Sequence, residues 1–148
     1  PKNIPDDDET TIVHGDYRLD NMILKHNEVI GILDWELSTL GHPIADFSYH
    51  CLSWRTQEAF WDEAKLKELG IPSEKEYMEM YCKYSGKDLS KNWEFYMAFN
   101  MFKIAGILQG ILGRVRDGTA ASKHAEERGN MVFPLSQAAW ETIEDNFL

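Results

Sequence analysis

Cysteine is nearly absent from this 148-residue chain: Cys51 and Cys82 are the two, both in apolar surroundings and without paired spacing. That argues against a disulfide framework or a cysteine metal site and reads as two reduced core thiols in a reducing compartment. Basic residues are scarce too, 15 Lys and Arg against 25 Asp and Glu, for a formal net charge of −10. Nucleic acid is disfavoured as a partner, because its phosphates require basic side chains. The same charge is awkward for a nucleotide enzyme unless carboxylate-bound metal ions offset it. No apolar stretch reads as long enough to span a membrane, and no basic, apolar and small-residue succession marks a secretory signal. Internal repeats and low-complexity tracts are lacking as well. The expectation is an intracellular protein.

What is present has an ordinary balance, 43% hydrophobic and 27% charged. The length is that of one domain over residues 1–148, able to bury a core of its own. Residues 1–10, with the acidic run Asp6 to Glu9, read as a linker-like, extended and solvated lead-in. Because the row begins at Pro1 rather than Met, the expectation is a piece of a longer protein.

The first third of the chain carries short β-branched runs. Thr11-Ile12-Val13 reads as a buried strand delivering His14 and Asp16 to its end. Met22-Ile23-Leu24 and Val29 to Leu33 read as two strands of a hairpin, joined by the turn Lys25-His26-Asn27-Glu28. Past Pro43 the pattern turns helical. Helices are expected over Ala45 to Trp54, buried; over Phe60 to Leu69, amphipathic and ended by Gly70; and from the capping-box pair Ser73 and Glu76 to Ser85, stopped by Gly86. Trp93 to Val115 is apolar on most faces, as a central buried helix would be. A last helical region covers about Ser122 to Asn146, where Pro134 kinks it or starts a new helix.

One constellation carries chemistry. Asp16, Asn21 and Asp34 stand five and thirteen residues apart, in the loop before the hairpin and just after its second strand. Phosphoryl transfer requires in-line positioning, metal ions on the phosphates, and a group to accept the hydroxyl proton. Asp16 suits the last role. Asn21 and Asp34 offer the hard oxygens that magnesium prefers, and two protein ligands suffice because the ion keeps several waters. The Asp-x-x-x-x-Asn spacing matches the catalytic loop of kinases.

His14-Gly15-Asp16-Tyr17-Arg18-Leu19-Asp20-Asn21, Ile32-Leu33-Asp34-Trp35-Glu36 and Gly41-His42-Pro43-Ile44-Ala45-Asp46 together resemble the aminoglycoside phosphotransferase family, relatives of the protein kinases. The longer stretches HGDYRLDNMIL, VIGILDWELSTLGHPIADFSYHCL, GIPSEKEYMEMYC and FKIAGILQGILGR look like the kinase-like domain fused to acyl-CoA dehydrogenase family members 10 and 11. The resemblance implies Asp16 as catalytic base, Asn21 and Asp34 as magnesium ligands, and ATP as phosphoryl donor. It also implies His14 and Asp46 as structural supports of the loop. The implied fold is α+β and mostly α, the C-terminal lobe of a protein-kinase-like enzyme with a small β-hairpin carrying the catalytic loops. A glycine-rich phosphate loop and a strand with a nucleotide lysine have no counterpart before Thr11, so the N-terminal lobe is missing from this reading.

Blander readings stand beside these. Asp46 also suits an ordinary helix N-cap. His42, His50 and His124 lack zinc-site spacing. Trp93, Phe95, Tyr96, Phe99 and Phe102, at helical spacing, read as core rather than a ligand pocket. Trp35 either stacks near the cleft or fills it. A hydroxylated acyl-CoA is the acceptor that the resemblance suggests, with aminoglycosides, choline or another small alcohol left open. The alternatives in kind are a non-catalytic docking module within a larger acyl-CoA dehydrogenase-type protein, or a hydrolase using water. A lone lobe is expected to bind magnesium–ATP weakly, to turn over nothing, and to self-associate through an exposed apolar face. The expected residence is cytoplasmic, or mitochondrial or peroxisomal in a dehydrogenase fusion.

Overall fold

Short β-branched runs and tight turns shape the chain up to residue 41, and helices account for most of the rest. The computed structural model describes residues 3–56 and 63–148. They divide into two units, residues 5–93 and residues 3–4 with 94–148.

In the first unit, β1 (Thr11–Val13), β2 (Met22–Lys25), β3 (Glu28–Ile32) and β4 (Thr39–Gly41) form two antiparallel pairs, β2 with β3 and β1 with β4. Lys25 pairs with Glu28. The hairpin turn therefore contracts to His26 and Asn27, both at positive φ, 49° and 65°, as a primed two-residue turn requires. A three-residue strand is too short to show alternation, and β4 has no counterpart in the sequence reading. β1 corrects that reading as well. Only Val13 turns inward, while Ile12, opposite Leu40, is 71% exposed. Successive side chains point to opposite faces of a strand, and one face of this small sheet is uncovered.

The helix α1 (Pro43–Cys51) begins with proline at its first position, where no amide hydrogen is needed. Its N-cap is His42, whose Nδ1 accepts the Ile44 amide at 3.2 Å. Asp46 is thus not the cap, and its carboxylate is engaged elsewhere. The helix breaks at Leu52, and α2 (Ser53–Thr56) and α3 (Glu63–Glu68) follow. The expected helix Phe60 to Leu69 lies partly outside the described residues. The next helix, α4 (Glu74–Ser85), carries the expected reciprocal capping box of Ser73 and Glu76 and ends on Gly86 at φ 73°.

Aromatic packing joins these helices. Phe47 stacks on Tyr81 with centroids 3.8 Å apart, and Trp54 on Tyr77 at 5.1 Å. Glu74 accepts from Arg55 Nε and Nη2 and from Trp93 Nε1 at 2.8 Å, so a partly buried carboxylate is fully hydrogen-bonded. The lead-in is less free than expected. Asp7 pairs with His42 at 3.3 Å, and Lys87 Nζ donates to Glu9 at 2.6 Å.

The second unit takes α5 (Trp93–Arg116) from Glu94 onward, with α6 (Ala125–Gly129) and α7 (Val132–Phe147). Met97, Asn100, Met101 and Ala105 are buried on α5, Leu135 and Ala139 on α7. Pro134 lies in the first turn of α7, so it starts a new helix rather than kinking one. Two expectations for α5 are corrected. Phe99 and Phe102 are 49% and 76% exposed, so the aromatic run is not wholly core. The helix is also long and apolar enough, by length and composition, to cross a membrane. Core helices share that pattern, and Lys103 interrupts it.

Candidate functional site

The loop after β1 turns sharply at Gly15. Its φ is +83°, and a Cβ there would lie 2.6 Å from the Leu37 carbonyl oxygen, so glycine alone fits. The turn presents two successive amides to one carboxylate. His14 N–H donates to Asp46 Oδ2 and Gly15 N–H to Asp46 Oδ1, both at 2.8 Å. A buttress 31 and 32 residues away in sequence thereby fixes the loop.

His14 is buried, and both ring nitrogens are engaged. Nδ1 accepts the Asp16 amide at 3.2 Å, which puts the ring proton on Nε2, and Nε2 donates to the Leu33 carbonyl at 2.8 Å. The ring stacks obliquely on Trp35, 4.8 Å between centroids, while Trp35 Nε1 donates to the Ile32 carbonyl at 2.9 Å. Trp35 therefore packs on the loop's own histidine.

Asn21, closing the 3-10 turn Leu19–Asn21, donates through Nδ2 to the Asp16 carbonyl at 2.9 Å and to Asp16 Oδ2 at 3.1 Å. Its backbone carbonyl accepts the Leu33 amide at 2.8 Å. Leu33 is thus held by His14 on one side and Asn21 on the other, and the next residue is Asp34. Asp34 sits in the left-handed region, φ 63° and ψ 54°, before the 3-10 turn Trp35–Leu37. For a non-glycine residue that conformation is uncommon and costs energy, and such positions cluster at functional sites. His14, Asp16, Asn21 and Asp46 form one hydrogen-bonded network, with Asp34 tied in through Leu33.

Two members of this network are absent from the sequence reading as site residues. Tyr49 Oη donates to Asp16 Oδ1 at 3.3 Å, and His50 Nδ1 donates to the Tyr17 carbonyl at 2.9 Å while Nε2 accepts from Tyr77 Oη at 3.1 Å. The available signal was their place three and four residues after Asp46, on the same helix face. Burial, then the Asp16 charge, raises the Tyr49 phenol above its usual value. Burial lowers His50, outweighing its bond to Tyr17 and the Asp46 charge. Arg18 is raised by its ion pair with Asp20.

The donor set suits a hard cation. With Asn21 Nδ2 turned to Asp16, the amide oxygen faces away from that carboxylate, and Asp34, one residue beyond the Leu33 amide that Asn21 holds, is the second oxygen donor expected from the sequence. Among the described residues no three His, Cys, Asp or Glu converge, so a closed all-protein cage is not built here. Magnesium, which binds through one or two carboxylates and keeps its waters, fits such a site.

Beside the loop, in the same unit, lies a cavity of about 440 Å³ walled by Leu19, Trp54, Ile71 and Pro72, with His50 and Tyr77 contributing polar edges. Among the described residues none of the lining side chains is acidic. A second cavity, about 520 Å³, lies between α5 and α7 against Phe99, Phe102 and Trp140. It holds none of the chemistry-bearing residues.

A profile of the phosphotransferase enzyme family matches residues 1–81. Mouse (Mus musculus) acyl-CoA dehydrogenase family member 10 is 42% identical over 95% of this chain, which covers 14% of that protein. Human (Homo sapiens) acyl-CoA dehydrogenase family member 11 is 37% identical over 99% of the chain, 20% of its own length. A Ralstonia eutropha JMP134 crystal structure, provisionally identified as an aminoglycoside phosphotransferase, superposes with a TM-score of 0.87 at 45% identity, over 98% of this chain and 46% of that one. The chain therefore spans under half of the solved relative and a fifth or less of these two curated relatives.

Proposed function

Because this chain belongs to the phosphotransferase enzyme family, we propose that it is the C-terminal lobe of a kinase-like enzyme that moves the γ-phosphoryl group of ATP to a substrate hydroxyl. Asp16 orients that hydroxyl and takes its proton. Asn21, through its amide oxygen, and Asp34 hold magnesium, which when bound with the nucleotide neutralises charge developing on the phosphates. His14 and Asp46 do no chemistry; they keep the loop from Gly15 to Asp16 in one conformation.

One observation carries the reading. The Asn21 side chain is bonded directly to the Asp16 carboxylate, 3.1 Å from Nδ2 to Oδ2, and its carbonyl holds the residue preceding Asp34. Base and proposed ligands are thereby one unit, as a transfer with little covalent assistance from the protein requires.

The acceptor is an alcohol borne on an apolar acyl chain, a hydroxyacyl-CoA in the first instance. Support comes from the apolar side chains of Leu19, Trp54, Ile71 and Pro72 in the cavity beside the loop and from the relatives, which are acyl-CoA dehydrogenase family members. The enzyme works in a reducing, intracellular compartment, where Cys51 stays a buried thiol.

The test is ATP turnover by the two-lobed enzyme with a panel of hydroxyacyl thioesters, choline and an aminoglycoside. Turnover with a thioester, abolished in Asp16→Asn, is the expected result. Undiminished turnover in Asp16→Asn removes Asp16 as the base. Phosphate release at one rate with and without any alcohol would make the enzyme a hydrolase.

A further inference from the structure

We propose that Tyr49 and His50 are positioning residues for phosphoryl transfer, holding the base Asp16 and its loop in the transfer geometry; this rests on the reading of Asp16 given above. An aspartate does not aim its own oxygens. The torsion that turns the carboxylate plane is broad and roughly twofold, and here it sits in a loop. Two donors remove that freedom. Asn21 Nδ2 takes Oδ2 at 3.1 Å and Tyr49 Oη takes Oδ1 at 3.3 Å. A carboxylate oxygen accepts about two hydrogen bonds, so each keeps a lone pair for an incoming hydroxyl.

His50 fixes the next residue of the loop. The Tyr17 carbonyl can only accept, so His50 carries its proton on Nδ1, and Nε2 must then accept from the Tyr77 hydroxyl. Tyr77 is suited to donate, since burial pushes its phenol up to about 12. Packing reinforces the bond, with the Tyr17 and His50 rings edge-on at 5.3 Å. One face of α1 thus grips four consecutive loop residues. Asp46 holds the amides of His14 and Gly15, Tyr49 the side chain of Asp16, and His50 the carbonyl of Tyr17. The groups facing Tyr49 include Asp16, Arg18 and Asp46. Its phenol stays protonated near neutrality and serves as a donor, not as a proton carrier.

The test has two arms. In the 148-residue chain labelled with [13Cζ]tyrosine, the Tyr49 titration midpoint should fall in Asp16→Asn, where the neighbouring negative charge is gone. An unmoved midpoint overturns the contact. In the two-lobed enzyme, Tyr49→Phe should lower kcat roughly 10- to 100-fold while both KM values stay within about twofold, as expected for a misaimed group rather than lost binding. His50→Gln, which keeps an N–H donor, should retain more turnover than His50→Leu. Unchanged kcat in Tyr49→Phe overturns the proposal, as does a loss that appears in KM alone. The two readings fail separately. If the unsubstituted enzyme transfers no phosphoryl group, the proposed function falls and this proposal with it. If it transfers normally and Tyr49→Phe has no effect, only this proposal falls.

Discussion

Asn21 donates twice to Asp16, to its backbone carbonyl at 2.9 Å and to its carboxylate at 3.1 Å. Both donors of the amide are thereby turned inward, and its oxygen faces away from the Asp16 carboxylate. On the proposed function, replacing Asn21 by alanine removes an orienting donor and a magnesium ligand together. Turnover should fall by about 100-fold or more, with the remaining activity needing higher magnesium. A magnesium titration of kcat checks this. A curve superposable on that of the unsubstituted enzyme would take Asn21 out of the metal site.

Asp46, half-buried on α1, should matter to folding. Its two oxygens accept the His14 and Gly15 amides at 2.8 Å each, and hydrogen bonds to charged groups are the stronger kind. Asp46→Asn keeps an oxygen but loses the charge and one acceptor, and should cost about 2 kcal/mol in urea unfolding. A change below a few tenths would show that the loop holds itself.

His50 makes stability depend on pH. Its folded-state value is lowered from the ordinary 6.5 by burial, so below that pH the unfolded chain takes up a proton that the folded chain resists. Stability is full above pH 6.5 and is lost as pH falls toward the depressed folded value. Melting temperatures measured from pH 7.5 to 5 should therefore decline more steeply for the native sequence than for His50→Gln. Parallel curves would mean that His50 is not the group responsible.

Apolar side chains exposed together invite association. In the unit built on α5 and α7, Phe99, Phe102, Phe133 and Trp140 are 49%, 76%, 76% and 51% exposed. Patches of that kind mark contact surfaces. The 148-residue chain should self-associate with rising concentration in light scattering, and Phe102→Glu should suppress it. A clean monomer at high concentration removes the surface from consideration.

Local features were legible from the residues alone. The loop from His14 to Asn21, the reciprocal caps of Ser73 and Glu76, the glycine stop at Gly86 and the long helix from Trp93 each depend on neighbours a few positions apart, and such information is carried in short stretches. The candidate site residues Asp16, Asn21 and Asp34 likewise stand out by type and spacing. Their neighbours Tyr49 and His50 do not, being an unremarkable pair in an apolar helix.

Tertiary structure decided the remainder. Whether Asp46 caps its own helix or grips a loop 31 residues earlier depends on where α1 lies against β1, and His42 took the cap instead. The outward face of Ile12, the pairing of β1 with β4, and the exposure of Phe102 likewise follow from what covers each surface. Burial and hydrogen-bond partners are properties of long-range proximity, and chain order states composition and spacing without stating which distant segments meet.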